Sequence, residues 1–114
     1  MQWLALEKLV NLYDGYRRVV QVDGRHLLLL QEAGQRYLVN ARCPHYGQSL
    51  ETGRVSDGSI VCPMHGYRFD LAGGSATDAS GAAVDCRLPC YSLEYRVNEI
   101  GLWRQDSAGR QSGN

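Results

Sequence analysis

The sequence predicts an all-β fold of short antiparallel strands, and three features carry that reading. Thirteen glycines are scattered through 114 residues so that apolar stretches seldom exceed six or seven residues, a rhythm of short strands and tight turns rather than long helices. Two Asp-Gly dipeptides, Asp23-Gly24 and Asp57-Gly58, stand beside strand-like segments, and this pair tolerates the positive φ angles of a two-residue hairpin turn. Apolar and polar residues alternate with period two in Arg36-Tyr37-Leu38-Val39-Asn40 and again over residues 91–97, the pattern of half-buried strands.

Taken in order, the opening segment is ambiguous, because Leu6, Leu9, Val10 and Tyr13 also fit one face of a short amphipathic helix. Residues 18–22 and 26–30 form a hairpin about Asp23-Gly24, and a second turn at Glu32-Ala33-Gly34-Gln35 leads into a strand that ends just before Cys43. Asp57-Gly58 places Ser59-Ile60-Val61 on a strand ending immediately before Cys62, and residues 67–71 continue beyond the next loop. Residues 72–83, rich in glycine, alanine and serine, read as a surface loop. The strand at 91–97 turns at 98–101 and returns through Leu102-Trp103-Arg104 as a closing hairpin. From Asp106 the chain is polar and is expected to fray. No internal repeat is evident.

A mass of 12.7 kDa bounds the chain to one domain with one compact core. Its 44% apolar and 21% charged residues fit a globular protein, and the longest apolar run, residues 27–30, is too short to span a bilayer. Twelve basic residues balance twelve acidic ones, so no overall field draws the chain to nucleic acid or to an anionic membrane. The start, Met1-Gln2-Trp3-Leu4-Ala5-Leu6-Glu7-Lys8, lacks the basic n-region, apolar run and cleavage site of a secretory leader. The expected location is therefore cytoplasmic, where cysteines serve as metal ligands or inert thiols more often than as disulfides.

Cys43-Pro44-His45 and Cys62-Pro63-Met64-His65 each offer a thiol and an imidazole, with sixteen residues (46–61) between the two groups. Two soft thiolates and two imidazoles suit either one tetrahedral metal or two linked metals. Structural zinc sites normally group Cys with Cys and His with His, whereas here the order is mixed. That order resembles the Rieske iron-sulfur signature, in which two histidines replace cysteines on one iron. Prolines after both cysteines, Gly47 and Gly66 near the histidines, and Phe69-Asp70-Leu71 after the second loop extend the likeness, which covers residues 3–103.

The resemblance implies a small antiparallel Rieske fold of stacked sheets over residues 1–105, with cluster-binding loops at 43–50 and 62–67 and a flexible polar tail at 106–114. It implies one 2Fe-2S cluster, Cys43 and Cys62 on the buried iron, and His45 and His65 on the outer iron with their ring edges facing solvent. Each loop would supply one ligand to each iron, so neither alone would hold the cluster. The glycines fit loops whose backbone N–H groups must approach sulfide closely.

High-potential members of this family carry two further loop cysteines, paired as a disulfide, at places that align with Gln48 and Met64 here. They also place a serine and a tyrosine, as hydroxyl donors to the cluster, where this chain has Tyr67 and Phe69. If each bond to the charged cluster favours reduction by roughly 1.5 to 3 kcal/mol, losing two lowers the potential by about 130 to 260 mV. The expected potential lies near the lower end of the Rieske range, on the order of −150 mV.

Cys86 and Cys90 are expected to be inert thiols, since four residues of extended chain separate their Cα atoms by about 13 Å, beyond disulfide reach. Leu88-Pro89 resembles the family's shielding loop and would bring Cys90 near the site without making it a ligand. His26 reads as an exposed strand residue without function. Trp3, Trp103 and the seven tyrosines read as core and strand-face residues, except Tyr46, which is placed to pack against a docking partner beside His45.

By resemblance, the chain is a Rieske ferredoxin without catalysis of its own. It would carry one electron at a time from a flavin-dependent ferredoxin reductase to a terminal oxygenase, such as an aromatic-ring-hydroxylating dioxygenase. Both partners would dock transiently on a monomer, with no nucleic acid and no membrane involved. Two alternatives stay open: a small Rieske subunit of nitrite reductase or another multicomponent enzyme, and a zinc-stabilised or metal-free β interaction module.

Overall fold

The computed structural model describes residues 1–45 and 47–104; Tyr46 and the tail expected at 106–114 lie outside the described residues. Strands form three antiparallel sheets, as the glycine rhythm and Asp-Gly turns predict, with one 3-10 turn and no α-helix among the described residues. None of the described helical structure is long and apolar enough to cross a membrane. The chain divides into two compact units, Tyr13–Tyr91 and a second made of Met1–Leu12 with the segment from Ser92.

In the larger unit, β2 (Arg17–Val22), β3 (Arg25–Glu32) and β4 (Gln35–Asn40) form a meander, following β1 (Gln2–Lys8) of the smaller unit. Their turns are Asp23-Gly24, with φ of 51° and 80°, and Ala33-Gly34, with φ of 52° and 76°. Positive φ at both central residues matches the right-handed twist of the flanking strands. The five-stranded sheet runs in sequence order through β5 (Arg54–Ser56), β6 (Ser59–Val61), β7 (Arg68–Asp70), β8 (Ser75–Thr77) and β9 (Ala83–Arg87). β10 (Cys90–Tyr91) then adds to the first sheet, with Cys90 opposite Val39 on β4.

The two sheets of this unit share one core, in which Leu28, Val39, Leu50, Ile60, Phe69 and Leu88 are fully buried. Each such side chain contributes about 1.5 to 3 kcal/mol through removal from water. Cys43 and Cys62 belong to the same cluster, so the core that holds the sheets together also holds both motif thiols.

Two expectations need correction here. Residues 72–83 are not simply a surface loop: β8 lies within them, and its Ala76 is buried. Within this stretch Gly74 answers a close approach, since a Cβ there would fall 2.1 Å from the Leu88 carbonyl oxygen. The strand expected at 91–97 is also split, with Tyr91 ending β10 and β11 (Glu94–Arg96) pairing with β12 (Glu99–Arg104) in the other unit.

In the smaller unit the ambiguous opening segment is a strand. β1 pairs with β12 from Gln2↔Arg104 to Lys8↔Glu99, with a bulge between Ala5 and Glu7. The helical spacing survives only as a 3-10 turn, Leu9–Asn11. Cross-strand pairing wins because Trp3 meets Trp103 at a 5.3 Å ring separation and donates its indole N–H to Glu99 at 3.1 Å. The closing turn sits at Val97-Asn98, earlier than expected, and Val97 takes a φ of 56°. Gly101 belongs to β12, where a Cβ would meet the Leu4 carbonyl oxygen at 2.1 Å, so this glycine serves a close approach rather than a turn.

Candidate metal centre

Both motif halves sit at the ends of antiparallel hairpins. The first is closed at its neck by the Leu50 amide donating to the Ala41 carbonyl at 2.8 Å and by an Arg42↔Ser49 bridge. The second rises from β6 and returns on β7, with Val61 opposite Arg68. Each loop then closes on its own cysteine. The Cys43 amide donates to the Gln48 carbonyl at 2.7 Å, and the Gly47 amide donates to the Cys43 carbonyl at 2.7 Å. In the second loop the Cys62 amide donates to the Tyr67 carbonyl at 2.7 Å, and the Gly66 amide donates to the Cys62 carbonyl at 3.0 Å. Gly47 and Gly66 take φ of 74° and 77°, a conformation that costs an L-residue roughly 1–2 kcal/mol.

This frame sorts the four motif side chains by depth. Cys43 and Cys62 are each 2% exposed, inside the shared core, whereas His45 and His65 are exposed. The imidazole rings approach each other edge to face, with centroids 6.1 Å apart and planes at 82°. Two thiols thus lie inside and two imidazoles outside. Two soft sulfurs in an apolar core and two nitrogens at the surface form a donor set that fits a two-iron group with thiolates on one iron and imidazoles on the other.

Tyr67 is the residue whose placement the sequence did not settle. Its ring stacks on His45 at 4.2 Å with planes 17° apart, and its hydroxyl lies 3.3 Å from His45 Nε2. The hydroxyl therefore meets an imidazole. The sixth position of the first loop, Gln48, is the counterpart of Tyr67 in sequence, and nothing local to either loop marks the contact with His45.

Leu88 is fully buried in the cluster that contains both motif cysteines, while Pro89 is exposed and accepts the Asn40 amide at 2.9 Å. Cys86 and Cys90 pack against that cluster half-buried, and none of the four cysteines is in a disulfide. The Cys90 thiol donates to the Leu88 carbonyl at 3.3 Å. Burial pushes its pKa up, with the Asp70 carboxylate adding to the effect, as befits an unreactive thiol. His26 is exposed on β3, as expected. Tyr16 is buried and Tyr95, 57% exposed, lies on β11, as core and strand-face residues should, whereas Tyr13, 62% exposed, lies outside the strands. The docking role expected of Tyr46 falls on a residue outside those described.

Comparison with known proteins agrees with this geometry. Over 76 residues the chain is 29% identical to the ferredoxin component of the naphthalene 1,2-dioxygenase system of Pseudomonas putida, covering 67% of this chain and 73% of that one. Over 71 residues it is 34% identical to apoptosis-inducing factor 3 of Mus musculus, covering 62% of this chain but only 12% of the longer protein. The ferredoxin in a solved complex of reduced oxygenase and oxidized ferredoxin of carbazole 1,9a-dioxygenase superposes with a TM-score of 0.73 at 24% identity, covering 87% of this chain and 90% of that one. The Rieske [2Fe-2S] domain profile matches residues 2–92, and with both cysteine loops inside that span the chain belongs to the Rieske [2Fe-2S] domain family.

Proposed function

We propose that this chain is a cytoplasmic Rieske ferredoxin that carries one electron at a time from a flavin-dependent reductase to a terminal oxygenase. One observation carries the reading: paired loops hold two thiols in the core and two imidazoles at the surface. Cys43 and Cys62 would hold one iron, and His45 and His65 the other. When bound, a 2Fe-2S cluster supplies a reversible one-electron couple. The protein's part is to keep the sulfur side dry and to present the imidazole edges to a partner. The likeness to oxygenase-system ferredoxins supports this carrier role.

The same residues bear on potential. Tyr67 turns its hydroxyl to His45 and Phe69 has none, which supports a midpoint near the low end of the Rieske range, on the order of −150 mV. Such a carrier suits a flavoprotein donor rather than a quinol. Its exposed site fits weak docking through a small interface.

The test is a visible spectrum and EPR of reduced protein, with iron, zinc and sulfide assayed together, followed by reduction through a flavoprotein ferredoxin reductase. A red-brown protein with equal iron and sulfide that passes electrons to an oxygenase supports the reading. Zinc in place of iron and sulfide, after anaerobic reconstitution, overturns it in favour of an interaction module. Stable co-purification with a larger enzyme overturns the free-carrier role and leaves a fixed Rieske subunit.

A further inference from the structure

We propose that Tyr67 is a positioning residue: it clasps the second cysteine loop to the first by holding the His45 ring. Backbone bonds from Cys43, Gly47, Cys62 and Gly66 close each loop on itself, and none of these bonds joins loop to loop. The phenol crosses that gap, with its face on the imidazole at 4.2 Å and its hydroxyl 3.3 Å from Nε2.

Tyr67 is fixed at its base, where its carbonyl accepts the Cys62 amide at 2.7 Å, and its half-buried ring packs against the core beside Phe69, with ring centroids 6.5 Å apart. His45 stands exposed near the tip of its loop. The Tyr67 ring, held at its base and against the core, gives the His45 ring a fixed face to stack on. With glutamine at 48 and methionine at 64, no disulfide can join those positions, and the clasp provides a noncovalent link between the same two loops. As regards the cluster, this inference rests on the function proposed above; as regards loop order, it does not.

Wild type, Tyr67→Phe and Tyr67→Leu are compared as full chains. Leucine keeps apolar bulk against the core but removes both stack and hydroxyl, whereas phenylalanine removes only the hydroxyl. Hydrogen exchange at the amides of residues 42–48 reads the clasp without reference to any metal. It should rise about two- to tenfold in Tyr67→Leu, the range set by one aromatic pair, and stay near wild type in Tyr67→Phe. Bleaching of the visible spectrum by an iron chelator should follow the same order. Loss of the hydroxyl contact should also move the Tyr67→Phe midpoint by about a two- to tenfold change in equilibrium constant, which mere core filling would not do. Unchanged exchange over 42–48 in Tyr67→Leu overturns the clasp, whatever the potential does. A wild type without an iron-sulfur cluster overturns the proposed function instead, and the exchange result alone then decides the clasp.

Discussion

The two cysteine loops run Cys-Pro-His-Tyr-Gly-Gln over residues 43–48 and Cys-Pro-Met-His-Gly-Tyr over residues 62–67, so three of six positions are shared. The shared positions close the turn and place the thiol. Cysteine and glycine close each turn with the same pair of hydrogen bonds, proline follows the cysteine, and both glycines take positive φ. The differing positions set where the imidazoles stand. Histidine stands two residues after the first cysteine and three after the second, yet both rings reach the surface and meet at 82°. One turn design, with its imidazole shifted by a single residue, presents side chains that meet edge to face rather than duplicating one another. At the sixth position Gln48 and Tyr67 differ, and the tyrosine adds a stacked contact between the loops to the edge-to-face meeting of the two imidazoles.

The largest expected effect breaks this symmetry at its base. If the loops contribute equally, Cys43→Ser and Cys62→Ser should each abolish the visible chromophore and the bound iron, because either loop alone offers only half a site. Retention of a full complement of iron in one variant would show that the other loop carries the site. His65→Cys probes the shifted position: a changed EPR spectrum or loss of the cluster is expected, and an unchanged spectrum would remove His65 from the ligand set.

A smaller effect separates the glycines. A Cβ at Gly47 meets nothing within 4 Å, whereas one at Gly66 falls 3.2 Å from the Ala79 Cβ. Gly47→Ala should cost about 1–2 kcal/mol from backbone strain alone. Gly66→Ala should cost that amount plus up to about 1 kcal/mol for the crowded methyl. Urea unfolding of both variants checks the order, and equal costs would mean that the Ala79 turn yields freely.

Much of this comparison was legible in the sequence, because it depends on residues whose options are few. Asp23-Gly24 and Asp57-Gly58 fold as the hairpin turns their chemistry requires. The mixed Cys and His spacing marked the four side chains that the structure sorts into buried thiols and exposed imidazoles. Other features were hidden for physical reasons. Leu6, Leu9, Val10 and Tyr13 have a helical period, but pairing of β1 with β12 overrides it, and local periodicity carries no information about a partner strand in a distant part of the chain. Gly74 and Gly101 look like turn residues, yet they answer carbonyl oxygens on neighbouring segments. The cysteine, proline and glycine common to both loops are legible in the sequence, but the matching hydrogen bonds that close the two turns are not. Tyr67 gave no sign of reaching His45, twenty-two residues away, since that contact exists only once both hairpins share a core.

The smallest expected effect concerns what stands behind one loop and not the other. Gly47 offers its carbonyl to the exposed Arg42 guanidinium at 3.2 Å, whereas Gly66 is backed by Ala79. Ala79 lies in a turn organised by Asp78, whose carboxylate accepts the Ser80 hydroxyl at 2.6 Å and the amides of Ser80 and Ala82 at 2.9 and 3.0 Å. Those bonds, the Ser80 hydroxyl foremost, hold the Asp78 pKa below the ordinary aspartate value. A carboxyl group with a depressed pKa in the folded state stabilises that state above its unfolded pKa, and the contribution fades as pH falls through the folded value. Asp78→Ala should therefore speed hydrogen exchange at the Ser80 and Ala82 amides near neutral pH, with a smaller rise over residues 62–67 and none over 43–48. The difference from wild type should shrink as pH drops below the ordinary aspartate range. Equal loosening of both loops would show that Ala79 does not buttress Gly66, and an effect independent of pH would show that the turn is held by its backbone bonds rather than by the carboxylate.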